Sequence, residues 1–158
     1  MDEFVIRGVS YPNTIEQDSK INRADLNTEF EQQGDKFRHW ATLFELSLDE
    51  EVDLKGELGR VEAALSAQAT VNMTAAGVRA TEKRVKDTVT TDPEYVKSLK
   101  KYNEAKLRTG LLKQAVTAMI QRKDMLIQLG WAYRAEGHAD PVIMEREKAV
   151  REIVGNKK

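Results

Sequence analysis

Residues 25–69 read DLNTEFEQQGDKFRHWATLFELSLDEEVDLKGELGRVEAALSAQA, and their spacing decides the fold class. Stepping alternately by four and three from Leu26 meets Phe30, Gln33, Phe37, Trp40, Phe44, Ser47, Glu51, Leu54, Leu58, Val61, Leu65 and Gln68. Nine of those thirteen positions hold large apolar side chains, and Leu43, Leu46 and Leu48 widen the stripe. A 3.5-residue period sustained this far belongs to a helix packed lengthwise on another helix. Unbroken, the segment would extend roughly 65–70 Å, against a diameter of about 40 Å for a compact globule of similar chain length. Two resolutions stand open. Either the helix breaks at Gly56 or Gly59, or it runs along a partner subunit, which implies oligomerisation.

Beyond this segment the chain turns to small residues: Ala63, Ala64, Ser66, Ala67, Ala69, Thr70 and then Thr74-Ala75-Ala76-Gly77. A bend is expected over 72–78. Asp92-Pro93-Glu94 then reads as a helix start, with an N-cap, proline at the first helical position and an acid in the first turn. Apolar positions at helical spacing follow from Val96 and Leu99 through Leu111, Leu112, Ala115, Met119, Leu126 and Leu129, and Gly137 is a fitting stop. The fold class is therefore all-α: two long amphipathic helices, about 25–69 and 93–135, with short connecting and C-terminal helices. They form a helical hairpin or bundle that assembles into a homo-oligomer. Helical spacing explains the aromatic stripe as core or interface without a ligand, and Phe30, Phe37, Trp40, Phe44, Leu58, Leu126 and Leu129 are the expected oligomer interface. Residues 1–21 show no helical period and read as a mobile N-terminal arm, with a turn at Tyr11-Pro12-Asn13. Residues 22–137 form the helical domain. Residues 138–158 read as a short helix, burying Ile143, Ala149, Val150 and Ile153, followed by a tail.

Composition removes several function classes. Cysteine is absent, which excludes disulfides and thiolate metal sites and suits a reducing compartment. The first residues lack the basic and apolar regions of a signal peptide, and no apolar run approaches the ~18 residues that cross a bilayer. A cytoplasmic protein that leaves the membrane alone is expected. Two histidines, His39 and His138, far apart in sequence and without cysteine, leave little for nucleophilic catalysis. No glycine-rich phosphate loop is present. The acidic run Asp49-Glu50-Glu51-Asp53 reads as a solvated face, and the Glu-x-x-His pattern of di-metal bundles is missing. No catalytic residue, metal or cofactor is expected, and the chain reads as a non-enzyme.

The net charge of −1 hides a separation of sign. Residues 1–65 carry 7 Lys/Arg and 15 Asp/Glu, a balance of −8; residues 66–134 carry 13 and 6, a balance of +7. Such asymmetry suits a polyanion or head-to-tail attraction between subunits. Arg79, Lys83, Arg84 and Lys86 fall within two helical turns, and Lys97, Lys100 and Lys101 share one face of the next helix. Clustered cations attract phosphates, and Tyr95 and Tyr102 among them would stack bases if exposed. The plain alternative has solvated lysines and core tyrosines.

Three stretches carry a family resemblance. They are Asp25-Leu26 with Trp40 fourteen residues after the leucine; Glu82-Lys83 with Thr88-Val89; and Ala115-Val116-Thr117-Ala118 with Arg122, Leu126, Leu129 and Glu136-Gly137. In their order and spacing, over about residues 22–137, the chain resembles the UvsY-type recombination mediators of tailed phages. The resemblance implies a ring-like homo-oligomer that binds single-stranded DNA. It would contact a RecA-like recombinase and the single-strand-binding protein, and load the first onto DNA covered by the second without hydrolysing nucleotide. One departure bears on the site. The family's Lys-Ala-Arg-Leu contact corresponds here to Glu62-Ala63-Ala64-Leu65-Ser66, which holds no cation. DNA contact would pass to Arg79, Lys83, Arg84, Lys86, Lys97, Lys100 and Lys101. Two rivals remain: a phage scaffold or adaptor module without DNA binding, and a nucleic-acid decoy acting through residues 45–57.

Overall fold

The computed structural model describes residues 3–138. In chain order it contains β1 (Glu3–Ile6), β2 (Val9–Pro12), α1 (Ile15–Ser19), α2 (Leu26–Ala75), α3 (Glu82–Thr91) and α4 (Pro93–His138). Two long helices packed together make the all-α architecture, and a small antiparallel β-hairpin is added to it.

Asp25 caps α2 by accepting the Thr28 amide at 3.2 Å. Hydrogen bonding from the Thr28 side chain first, and from its amide second, holds the Asp25 carboxyl below its ordinary value of 3.8. Fifty residues later α2 ends where Gly77 takes φ +68°. The Val78 amide then reaches the Met73 carbonyl at 2.9 Å and the Gly77 amide reaches Thr74 at 3.0 Å. This is a Schellman closure, which needs a residue free to adopt positive φ. It falls inside the bend expected over 72–78, although the helix continues six residues past 69. Thr81 caps α3 and Asp92 interrupts it, with Pro93 opening α4.

The chain then runs back along itself. Gln33 meets Met119, Ser47 meets Thr109 and Glu50 meets Arg108, so α4 lies antiparallel on α2. Of the two resolutions left open, the break at Gly56 or Gly59 does not occur: α2 is continuous over 50 residues, about 75 Å. Beyond the helix's own backbone, nothing lies within 4 Å of where a Cβ would stand on either glycine. The seam that the heptads demanded is filled by the 10 residues of α3 and the 46 of α4. Helix length alone therefore implies no partner subunit.

Residues 3–19, read from sequence as part of an N-terminal arm, contain two strands and a short helix. The arm folds: β1 pairs with β2 from Glu3↔Pro12 to Ile6↔Val9. Arg7 and Gly8 make the two-residue turn, at φ +49° and +80°. Alternation buries Phe4 and Ile6 with Trp40, Leu43, Leu112, Ala115 and Met119. The Phe4 ring meets Trp40 edge-on at 6.1 Å, and Trp40 Nε1–H donates to Asp18 of α1 at 3.1 Å. A period of two in so short a stretch is easily lost beside a long helical pattern. The short helix expected within 138–158 falls almost wholly outside the described residues.

Two polar layers interrupt the apolar seam. In one, Arg122 donates to both Glu29 and Gln33, while Gln33 Nε2–H donates to the Met119 carbonyl at 2.8 Å. In the other, Ser47 and Thr109 hydroxyls lie 3.0 Å apart beside the Arg108–Glu50 pair. Buried polar groups find partners only in one alignment, so these layers fix the register of the hairpin.

Candidate nucleic-acid interface

The expected cations gather at the end of the hairpin where α2 closes and α3 and α4 begin. Arg79 stands in the turn before α3, Lys83, Arg84 and Lys86 on α3, and Lys97, Lys100 and Lys101 on the first turns of α4. All seven are exposed. Their backbone follows from packing. Val89 is buried and Val85 half-buried, which sets the inner side of α3 and leaves Lys83 and Lys86 outward. On α4 Ala105 is buried and Ser98, Leu99 and Tyr102 are half-buried, so Lys97, Lys100 and Lys101 lie on the opposite side.

Among the described residues only Lys100 of the seven has an ion-pair partner, Glu104 at 3.9 Å. That pair is exposed and worth well under about 1 kcal/mol. Arg84 bends back to the Arg79 carbonyl at 3.4 Å, leaving the rest of its guanidinium outward. Over residues 79–101 seven cations face Glu82, Asp87, Asp92 and Glu94, a balance of +3. At helical rise this strip is roughly 30 Å long. Its cations sit in high dielectric, where phosphates bind weakly, reversibly and with strong salt dependence.

The tyrosines are less free than base stacking requires. Tyr95 and Tyr102 are half-buried, and the Lys106 ammonium stands 6.0 Å from the Tyr102 ring centroid. The interface set divides as well. Trp40 and Leu126 are fully buried inside this chain and unavailable to a neighbour, a correction that follows from the intramolecular seam. Phe44, Leu58 and Leu129 are half-buried, while Phe30 and Phe37 remain exposed.

The acidic run that the decoy reading would use is largely engaged. Arg7 binds Asp49 and Asp53 at 2.6 and 2.7 Å, and Arg108 binds Glu50. Three of the four carboxylates of Asp49-Glu50-Glu51-Asp53 thus already face a guanidinium. No group of acids or histidines among the described residues is arranged to hold a metal ion. No described helix is long and apolar enough to cross a membrane.

Sequence reasoning passed over the opposite end of the hairpin. There Trp131 is 66% exposed with Arg134 over its ring at 5.4 Å. Beside it Arg23, Asp25, Leu26, Phe30, Gly130 and Tyr133 line a cleft of about 380 Å³. The available signal was two aromatics, Trp131 and Tyr133, two residues apart and thus unable to share a buried helical face. Comparison with protein-family models, with curated proteins and with solved structures gives no match for this chain.

Proposed function

We infer that this protein is a non-enzymatic recombination mediator. It would bind single-stranded DNA as a homo-oligomer and help load a RecA-like recombinase onto DNA covered by single-strand-binding protein. The observation that carries the reading is the strip of seven exposed cations at one end of the hairpin, six of them without an ion-pair partner among the described residues. Phosphates would be held through Arg79, Lys83, Arg84, Lys86, Lys97, Lys100 and Lys101. With Tyr95 and Tyr102 half-buried, stacking adds little and sequence preference is weak. Modest affinity per subunit multiplies when several strips engage one strand. The resemblance to UvsY-type mediators supplies the recombinase and single-strand-binding protein as partners.

The test is fluorescence anisotropy of a labelled oligo-dT with the folded protein at low and moderate salt. Binding that exceeds that of an equal-length duplex and falls steeply with salt is expected. Arg84→Glu with Lys86→Glu should weaken it and lower the log–log salt slope by about 1–2. If the parent binds no DNA at low salt, the structural scaffold or adaptor module replaces the mediator. The exposed apolar positions on α2 already favour that second reading. Unchanged binding by the double variant would move the site elsewhere.

A further inference from the structure

The strongest surface outside the cationic strip is a groove of about 500 Å³ along α2, lined by Gly34, Phe37, Arg38, Ala41, Glu45 and Leu46. No element of the described chain covers it. Gln33, Trp40, Leu43 and Ser47 turn the other side of α2 to the core, and β1 packs against Trp40 and Leu43. At 100° per residue Gly34 and Ala41 stand about a quarter turn from Gln33 and Trp40. A Cβ built on Gly34 meets nothing within 4 Å.

We propose that this groove is the interface for a second copy of the same chain, packed with its α2 antiparallel about a two-fold axis near Ala41. That alignment brings opposite charges and apolar side chains of the groove face to face. Position n then faces a position near 82–83 minus n. Arg38 meets the other copy's Glu45, Phe37 meets Leu46, Gly34 meets Leu48, and Phe30 meets Val52. The smallest residues, Gly34 and Ala41, recur seven apart and let the two helices approach closely. A parallel pairing would set Arg38 on Arg38 and Glu45 on Glu45, which repels. Glu45 has no ion-pair partner among the described residues, and Arg38 has only the exposed Asp35 at 3.4 Å.

The area is sufficient. Phe30, Phe37, Leu46, Leu48 and Val52 are all between 37% and 60% exposed. Together they leave on the order of 400 Å² of apolar surface in water per copy. A standard interface buries about 800 Å² per partner, a little over half of it apolar. A two-fold contact repeats each pairing twice, so one favourable match counts double. The inference rests on the self-assembly part of the proposed function and not on DNA binding.

The chain has no cysteine, so introduced thiols report cleanly. Ala41→Cys alone should form a disulfide-linked dimer under mild oxidation. Gly34→Cys mixed with Leu48→Cys should cross-link, whereas Leu48→Cys alone should not. In sedimentation velocity, Arg38→Glu should raise the dimer dissociation constant at least about tenfold, and adding Glu45→Arg should restore it. An oligomer in which Ala41→Cys stays unlinked, or in which Leu48→Cys links to itself, overturns the antiparallel face and leaves self-assembly and the mediator reading intact. A monomeric parent overturns both the face and self-assembly, freeing the groove for a foreign helix. DNA binding is read separately by anisotropy.

Discussion

Replacing Arg122 with methionine tests what holds the two long helices in register. The Arg122 side chain is 1% exposed and donates to Glu29 and to Gln33, and the Glu29 side chain is only 12% exposed. Arg122→Met keeps most of the volume and removes the charge. Glu29 is then left nearly buried, with Lys36 at 3.8 Å as its nearest cation. Breaking a buried pair by removing one partner costs about 3–5 kcal/mol, because the survivor stays desolvated without compensation. The Lys36 ammonium offsets part of that, which places the expected loss near 3 kcal/mol. In a chain of this size the loss lowers Tm by roughly 6–12 °C.

The assay is urea unfolding followed by far-ultraviolet circular dichroism, with thermal melts alongside. The control is the double variant Arg122→Met with Glu29→Leu, which removes both charges together. Apolar substitution of a whole buried pair is close to neutral, so the double variant should recover at least half of the loss. A single variant that costs under about 1 kcal/mol would show that the pair is well solvated. A double variant as unstable as the single would show that Arg122 acts by packing and not by charge. Either result refutes the reasoning; an altered urea slope would instead report a change in the unfolded or native ensemble.

The docked hairpin predicts that Phe4→Ala costs about 3 kcal/mol or more, as for other buried phenylalanines, and shifts Trp40 emission to the red; a loss under about 1 kcal/mol would undock it. Trp40 is 0% and Trp131 66% exposed, so iodide should quench one emission component and spare the other, and Trp131→Phe should abolish the quenchable part. Asp25→Ala should lower the melting temperature at neutral pH. Because the folded carboxyl lies below 3.8, the gap to the parent is full above that pH and closes as pH falls through the folded value. A gap that persists at strongly acid pH would assign the effect to something other than the charged cap.

The parts of the fold legible in sequence are those set by long periodic patterns. The seam of α2, the Asp92-Pro93 start of α4 and the Gly77 bend each follow from local chemistry repeated or concentrated in a few residues. The hairpin of residues 3–12 was not legible, because Phe4 and Ile6 alternate over one short strand only. Their burial depends on a groove that exists only after α2 and α4 meet. Gly56 and Gly59 left the choice between a broken and a continuous helix open for a related reason. Glycine costs a helix about 1 kcal/mol against alanine, which is a reason to break an isolated helix and too little to break one packed along 46 residues of α4. Of the candidate site, the exposure of the cations was legible, since no apolar neighbour claims them. The half-burial of Tyr95 and Tyr102 was not, because one tyrosine serves equally as core or as stacking platform until its packing partner is known.

The antiparallel return also reinterprets the charge asymmetry. Balances of −8 and +7 in successive stretches suggest attraction between subunits only while the chain is drawn as a line. Folded back, the basic α4 lies beside the acidic first part of α2, and the attraction is used inside one molecule: Arg122 on Glu29, Arg108 on Glu50. Seven of the cations left over stand together where α2 closes and α3 and α4 begin. Residues 79–101 pair with the far end of α2, where after Arg60 and Glu62 no charged residue appears until Arg79. A positive end therefore emerges from a nearly neutral chain by topology alone. Head-to-tail assembly driven by net charge loses its basis, and contacts between copies fall to local matches such as Arg38 with Glu45.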